Sequence, residues 1–209
     1  MALTLGFLMD PLETVRVDHD STFAMMLEAQ RRGHEVRYFE QPWLRFGGSR
    51  AEARMRTVTV RREVGRSFDI LAEGVHALSD LDALFLRKDP PVDADFIQAT
   101  HLVELHNGRT PIFINNPVGI RDANEKLFGL RFPDLMPETL IARNLADLSR
   151  FVAEHPAGTI LKPVEGFGGQ GIIFLQPNDR NTRSLLEVLT LGGKKAIVAQ
   201  AYLPESRQG

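Results

Sequence analysis

Apolar and polar positions alternate along this chain with two periods, and the switches between them mark out its elements. Residues 3–9 form a short apolar run closed by Asp10-Pro11, the pattern of a buried strand that ends in a turn. Cap-forming residues follow at 18–21, after which Phe23, Met26, Leu27 and Gln30 fall at helical spacing up to Gly33. Residues 35–40 alternate around Val36, Tyr38 and Glu40, a second strand. Strand, helix and strand at this spacing predict a βαβ unit and therefore a parallel sheet. Ala83–Leu86 reads as another buried strand, leading into Arg87-Lys88-Asp89-Pro90-Pro91. Asp93 and Asp95 sit where a helix N-terminus favours negative charge, and that helix is expected to run to Asn107-Gly108. Residues 111–115 supply a further strand.

Residues 46–62 break this rhythm. Gly47-Gly48 is a turn signal, and the alternation around Val58 and Val60 predicts an inserted β-hairpin. Seven arginines fall between Arg45 and Arg66. They form either a basic surface that attracts an anionic substrate or the solvated face of a hairpin. Nucleic acid is disfavoured, because no aromatic residue beyond Phe46 interleaves them. Asn116-Pro117 marks a boundary. Beyond it, Asp122 and Glu125 stand at capping-box spacing and predict a helix through Leu130. Residues 137–142 and 159–162 read as strands flanking a helix near 144–154, and residues 172–175 and 196–200 as strands around a helix near 182–191. No internal repeat or low-complexity tract is present. The expected fold class is α/β, with a Rossmann-like unit over residues 1–121 and a second α/β unit over 122–209.

Composition narrows the function classes. Of 209 residues, 43% are hydrophobic and 25% charged, as in an ordinary globular protein, and the net charge of −2 gives no pull toward nucleic acid or an acidic membrane. No apolar run approaches the roughly 18 residues of a membrane span. Met1-Ala2-Leu3-Thr4-Leu5 lacks the basic start of a signal peptide, so a cytoplasmic location is expected. The absence of cysteine excludes disulfides, a thiolate nucleophile and Cys-ligated metal.

The most informative stretch is Ile160-Leu161-Lys162-Pro163-Val164-Glu165-Gly166-Phe167-Gly168-Gly169-Gln170-Gly171-Ile172-Ile173-Phe174. Closely spaced glycines let the backbone approach an anion and turn its N–H groups inward, and a phosphate chain is the usual anion for such a loop. Gly166, Gly168 and Gly171 match the dinucleotide fingerprint, but that motif must lead from a strand into a helix. Here the residues after Gly171 are β-rich and stopped by Pro177. A Walker A loop is excluded, because no Gly-Lys-Ser/Thr follows the glycines. Two readings remain: a strand–loop–strand flap over nucleotide phosphates, with Lys162 on the incoming strand, or a glycine-rich hairpin without a ligand. Lys126 bears on the choice, because a lysine in the first turns of the helix expected after Asp122 is unfavourable unless an anion lies close by. His101, Glu104 and His106 do not make a zinc helix, since histidines five apart lie on different faces. Gly65-x-Ser67 lacks the second glycine of a nucleophile elbow.

Taken in order, several strings resemble the prokaryotic glutathione synthetases, members of the ATP-grasp carboxylate–amine ligases. They are Met9-Asp10-Pro11, Asp20-Ser21-Thr22-Phe23-Ala24-Met25, Leu27-Glu28-Ala29-Gln30-Arg31-Arg32-Gly33, Leu86-Arg87-Lys88-Asp89-Pro90-Pro91, Arg121-Asp122-Ala123-Asn124-Glu125-Lys126-Leu127-Phe128, Pro137-Glu138-Thr139-Leu140, Ile160-Leu161-Lys162-Pro163 with its glycine loop, and Gln200-Ala201-Tyr202-Leu203-Pro204. The resemblance implies a Rossmann-like pre-ATP-grasp domain followed by the first α+β lobe of an ATP-grasp domain. It implies that ATP phosphorylates a substrate carboxylate and an amine then displaces the phosphate, here joining γ-glutamylcysteine and glycine into glutathione, with Mg²⁺ as cofactor. Carried onto this sequence, Lys126 and Lys162 would contact the phosphates and base. Glu165, Gly166, Phe167, Gly168, Gly169, Gln170 and Gly171 would cover the phosphates, and Gln200, Tyr202 and Leu203 would face adenine with their backbone. Arg87 and Lys88 are candidates for the peptide's carboxylates, or else form a solvated turn with Asp89 and Pro90. A homo-oligomer is implied for the family. Ala123 stands where the family often has cysteine, and no catalytic weight attaches to it. The Mg²⁺ ligands and the basic substrate clamp of the family are expected beyond Gly209, so the expectation is that these residues bind but do not catalyse alone. Two alternatives stay open: a non-catalytic nucleotide- or peptide-binding module, and an ATP-grasp ligase for another amino acid.

Overall fold

The computed structural model describes residues 1–106, 111–165 and 168–207. The chain divides into two compact units, Met1–Asp122 and Ala123–Gly209.

In the first unit, β1 (Thr4–Leu8) leads through a turn to α1 (Ser21–Arg31) and back to β2 (Glu35–Phe39), which lies parallel to β1. Asp20 sets the start of α1, its carboxylate accepting the Phe23 N–H at 2.7 Å, and Gly33 (φ 78°) turns the chain after its end. There follow β3 (Leu44–Gly47), β4 (Arg50–Val60), β5 (Phe68–Ala77), β6 (Ala83–Leu86), α2 (Ala94–Val103), β7 (Ile112–Ile114) and α3 (Pro117–Asp122). The sheet runs β3-β4-β2-β1-β6-β7, with β5 on the other side of β4, and its centre β2-β1-β6-β7 is parallel. One side of β1 packs Phe7 against Phe23 and Met26 of α1, and the other packs Leu8 against a cluster containing Phe96 and Val103 of α2. Tyr38 is fully buried, donating to Glu40 Oε1 at 2.6 Å, and burial followed by the Glu40 carboxylate pushes its hydroxyl pKa far up.

In the second unit, β8 (Thr139–Ala142), α4 (Leu145–Glu154), β9 (Thr159–Pro163), β10 (Ile173–Leu175), α5 (Thr182–Leu189) and β11 (Ile197–Ala201) build an antiparallel sheet of order β10-β9-β11-β8. The Asn144 side chain caps α4 through the Ala146 and Asp147 N–H groups. Leu148 and Val152 of α4 and Leu186 of α5 bury against Leu161, Leu175, Ile197 and Ala199. No helix among the described residues is long and apolar enough to cross a membrane.

Three expectations change. The expected hairpin over 46–62 is a three-stranded meander: Gly48 (φ 66°) turns β3 into β4, and β4 returns as β5. The helix expected to reach Asn107-Gly108 ends at Val103, where the Leu105 N–H closes on Leu102 O and Leu105 O accepts from Ala51; Asn107 and Gly108 lie outside the described residues. The helix expected from Asp122 through Leu130 does not form. Asn116 and Pro117 are not a break but the start of α3, with Asn116 Oδ1 accepting from Val118 and Gly119. Asp122 ends α3, and the Asn124 side chain then takes the N–H groups of Lys126 and Leu127, a local bond that competes with helix. Two 3₁₀ turns, Phe128–Arg131 and Pro133–Leu135, follow.

Candidate functional site

Among the described residues, α4 and α5 pack on one face of the antiparallel lobe and no helix of this lobe packs on the other. Residues directly paired across a ladder share a face. Val198 pairs with both Lys162 and Ile141, and Gln200 pairs with both Ile160 and Thr139. Since Leu161, Ile197 and Ala199 face α4 and α5, this second set lies on the opposite face. Lys162 crosses it to donate from Nζ to Gln200 Oε1 at 2.8 Å, and Gln200 Nε2 donates to Thr139 Oγ1 at 2.9 Å. The ammonium thus rides on a strand held between two neighbours, β10 and β11, which fixes its direction.

From β9 the chain enters the glycine loop and leaves it into β10, antiparallel to β9. Gly168 (φ 59°), Gly169 (φ 79°) and Gly171 (φ 72°) take left-handed conformations that other residues adopt only with strain. A Cβ on Gly171 would stand 2.8 Å from Pro163 Cγ, so the end of the loop packs on the end of β9. Gly166 and Phe167 lie outside the described residues. Lys126 Nζ donates to Val164 O at 3.0 Å and to Glu125 Oε1 at 3.1 Å. Glu165 meets Lys195 Nζ at 2.7 Å. Beside these groups opens a cavity of about 390 Å³ whose lining includes Leu127, Ile141, Val164, Glu165 and Lys195.

Lys195 is held by an elaborate turn. At the end of α5 the buried Thr190 donates through Oγ1 to Leu186 O and accepts the Gly193 N–H at 3.0 Å, while its carbonyl accepts from Lys194 and Lys195. Gly192 N–H reaches back to Glu187 O at 2.7 Å, and this places Leu191 at φ 49°, where glycine is the usual residue. Leu191 is more than half exposed. Leu191→Gly is therefore expected to raise stability by about 1 kcal/mol, the left-handed penalty relieved, read as a higher urea midpoint. A lower midpoint would show that the leucine side chain contributes more than its backbone costs.

At the other end of β11 the Gln200 backbone is taken up by the ladder. The Tyr202 N–H donates to Gly158 O at 3.0 Å, and its ring meets Phe174 edge-on at 4.9 Å. Leu203 is half exposed.

In the first unit, Arg87 and Lys88 follow β6 at the C-terminal edge of the parallel strands. Arg87 donates to Ser21 Oγ at 2.8 Å and Thr22 Oγ1 at 3.1 Å, at the start of α1. Lys88 pairs with Asp10 at 2.9 Å, and the Asp89 N–H donates to the same carboxylate.

Residues 3–121 match the prokaryotic glutathione synthetase N-terminal domain family, and residues 125–209 match the prokaryotic glutathione synthetase ATP-grasp domain family. The chain belongs to the prokaryotic glutathione synthetase family. Glutathione synthetase of Citrobacter rodentium is 43% identical over 202 residues, 97% of this chain and 64% of that protein. That of Escherichia coli K12 is 41% identical over 207 residues, 99% of this chain and 65% of that protein. The chain thus spans about 65% of the length of these curated relatives. Among solved structures, a RimK-domain ATP-grasp protein of Sphaerobacter thermophilus superposes with a TM-score of 0.59 at 17% identity, covering 96% of this chain and 64% of that one. D-cycloserine synthetase DcsG does so with a TM-score of 0.59 at 17% identity, over 95% of this chain and 59% of that one. These two likenesses are of fold, and the fold is ATP-grasp.

Within this glutathione synthetase family member, the structure brings Lys126, Glu165 and Gly171 to the end of β9. It sets Lys162 and Gln200 side by side on the bare face, with Tyr202 and Leu203 at the far end of β11. Lys126 does so from a turn rather than a helix start, so the helix-dipole argument for it does not apply. Its reach to Val164 O is what positions it. The Gln200 side chain lies beside Lys162, while its backbone is taken up by the ladder. Four of the seven arginines pair within the meander: Arg45 with Glu52, Arg54 and Arg56 with Glu73, and Arg61 with Asp69. The sequence pattern did not reveal Glu73 and Asp69 on β5 as these partners, nor single out Lys195 at the cavity.

Proposed function

We propose that this chain carries the peptide-binding and first nucleotide-binding parts of an ATP-dependent ligase that joins γ-glutamylcysteine to glycine. In such a reaction the γ-phosphoryl group passes from ATP to the glycyl-accepting carboxylate, releasing ADP. The glycine amine then attacks the acyl carbon, loses a proton and expels phosphate. What supports the reading is one observation: the glycines connect two antiparallel strands, and the first of these carries Lys162 on the face free of helices. Backbone amides of Gly168, Gly169, Gln170 and Gly171, with the Lys126 and Lys162 ammonium groups, suit a triphosphate, whose charge redistributes during transfer. Tyr202 and Leu203 would border the adenine, and Arg87 and Lys88 would meet carboxylates of the peptide. Each of these two cations already has neutral or acidic partners it could exchange. Among the described residues no group of three or more His, Asp or Glu side chains is placed to hold a metal ion. The family resemblance further implies a cytoplasmic homo-oligomer.

Calorimetric titration of ATP, then of γ-glutamylcysteine, tests the reading. Lys162→Ala is expected to weaken ATP binding by about 1.5–3 kcal/mol, the range of a charge-assisted contact. An unchanged affinity in that variant would remove Lys162 from the site.

A further inference from the structure

Lys195 has no place in the set of nucleotide contacts described above, yet its surroundings are built with unusual care. Its backbone N–H is fixed on Thr190 O at 2.8 Å, by a threonine that is itself completely buried and bonded on both sides. The turn that delivers it holds a non-glycine residue, Leu191, in a left-handed conformation. Strain of this kind persists where the surrounding structure over-determines it, and it gathers at functional sites. The product of that strain is an ammonium at the edge of the cavity beside Pro163, Val164 and Glu165, where the glycine loop begins. Its partner there is the Glu165 carboxylate, from an element 30 positions away. Side chains in this pair are 56% and 71% exposed, which makes it a weak pair in water and easily exchanged. A phosphate carries more charge than a carboxylate and offers the same acceptor oxygens.

We propose that Lys195 is a third ammonium of the polyphosphate-binding surface, occupied by Glu165 until a nucleotide's phosphates replace that carboxylate. The proposal rests on the nucleotide reading given above and extends it to a residue outside the strings quoted for the resemblance. Lys126 has the same logic: its ammonium sits on the Val164 carbonyl and Glu125, acceptors that phosphate oxygens can replace. Glu165 on this account is not a nucleotide contact but a placeholder, whose carboxylate competes with phosphate for the Lys195 ammonium.

The test compares the 209-residue chain with Lys195→Met, Lys195→Arg, Glu165→Gln and Lys162→Ala, titrating each with ATP and with inorganic tripolyphosphate, and recording each thermal midpoint. Lys195→Met is expected to weaken both ligands about tenfold at an unchanged thermal midpoint, Lys195→Arg to restore most of the loss, and Glu165→Gln to tighten both ligands. The loss in Lys195→Met should shrink as salt rises, as for an exposed ionic contact. Lys195→Met binding both ligands like the unaltered chain, while Lys162→Ala is weakened, overturns the Lys195 proposal alone. A Lys195→Met loss that follows a lowered thermal midpoint overturns it too, by making the residue structural. Failure of the unaltered chain to bind ATP overturns the nucleotide reading itself, and the role of Lys195 with it.

Discussion

Gly158→Ala is expected to destabilise the second unit by about 2–4 kcal/mol and to disturb the end of β11 with it. Gly158 has φ 110°, a conformation that costs an L-residue roughly 1–3 kcal/mol. A Cβ there would also collide with the Phe174 ring and stand 3.2 Å from Leu175 O, and overpacking of this kind adds about 1–3 kcal/mol. Part of the collision is relieved if Phe174 swings out, since that ring is 40% exposed. Its motion is not free, however, because Phe174 stacks edge-on against Tyr202, whose N–H is bonded to the Gly158 carbonyl. The substitution therefore links a turn before β9 to the residues proposed to border adenine. Urea unfolding followed by amide circular dichroism reads the stability, and ATP calorimetry reads the site. A midpoint equal to that of the unaltered chain would show that the turn relaxes without strain.

Phe7→Ala should cost the first unit about 3–5 kcal/mol, the usual range for removing a buried phenylalanine. Phe7 has no exposed surface, lies in the core with Phe23, Met26 and Tyr38, and stacks on Phe85 at 4.6 Å between ring centres. Its strand is central to the sheet, with β2 on one side and β6 on the other, so the cavity has little room to collapse. The chain supplies its own reporter: the single tryptophan, Trp43, lies edge-on to Tyr38 at 5.7 Å with the Arg56 guanidinium 4.7 Å above its ring. Trp43 fluorescence in urea should show a clearly lowered midpoint in Phe7→Ala. A shift under about 1 kcal/mol would mean that neighbouring side chains close the gap.

The parts of this fold most legible in the sequence are those where local pattern and tertiary packing agree. The run through Phe7 and Leu8 is apolar throughout because β1 is buried on both sides, as parallel strands are. Lys162 could be placed outward from the period of two alone, given Leu161 beside it. The strand after the glycines was visible in Ile172-Ile173-Phe174, and β10 forms there. The failures have equally local causes. Asp122 and Glu125 have the spacing of a capping box, but Asn124 between them bonds its own backbone first, a competition that spacing does not encode. Strand β5 escaped notice because it is largely exposed and carries Gly74, and β4 shifts register between Thr57 and Val58, which disrupts its alternation. Lys195 left no pattern at all. Beside Gly192-Gly193 it reads as a solvated turn, and only the three-dimensional bonds of Thr190 distinguish it.

The two sheets differ in a way that bears on how a ligand could be held. A parallel sheet needs cover on both sides, whereas an antiparallel one can leave a side to water. In the lobe of β8 to β11 the face away from α4 and α5 sets the buried Val198 and the partly buried Ile160 and Ile141 beside Lys162 and Gln200. A planar heterocycle laid on these side chains would meet apolar contact on that side, with the direction-dependent bonds supplied by a few polar groups around it.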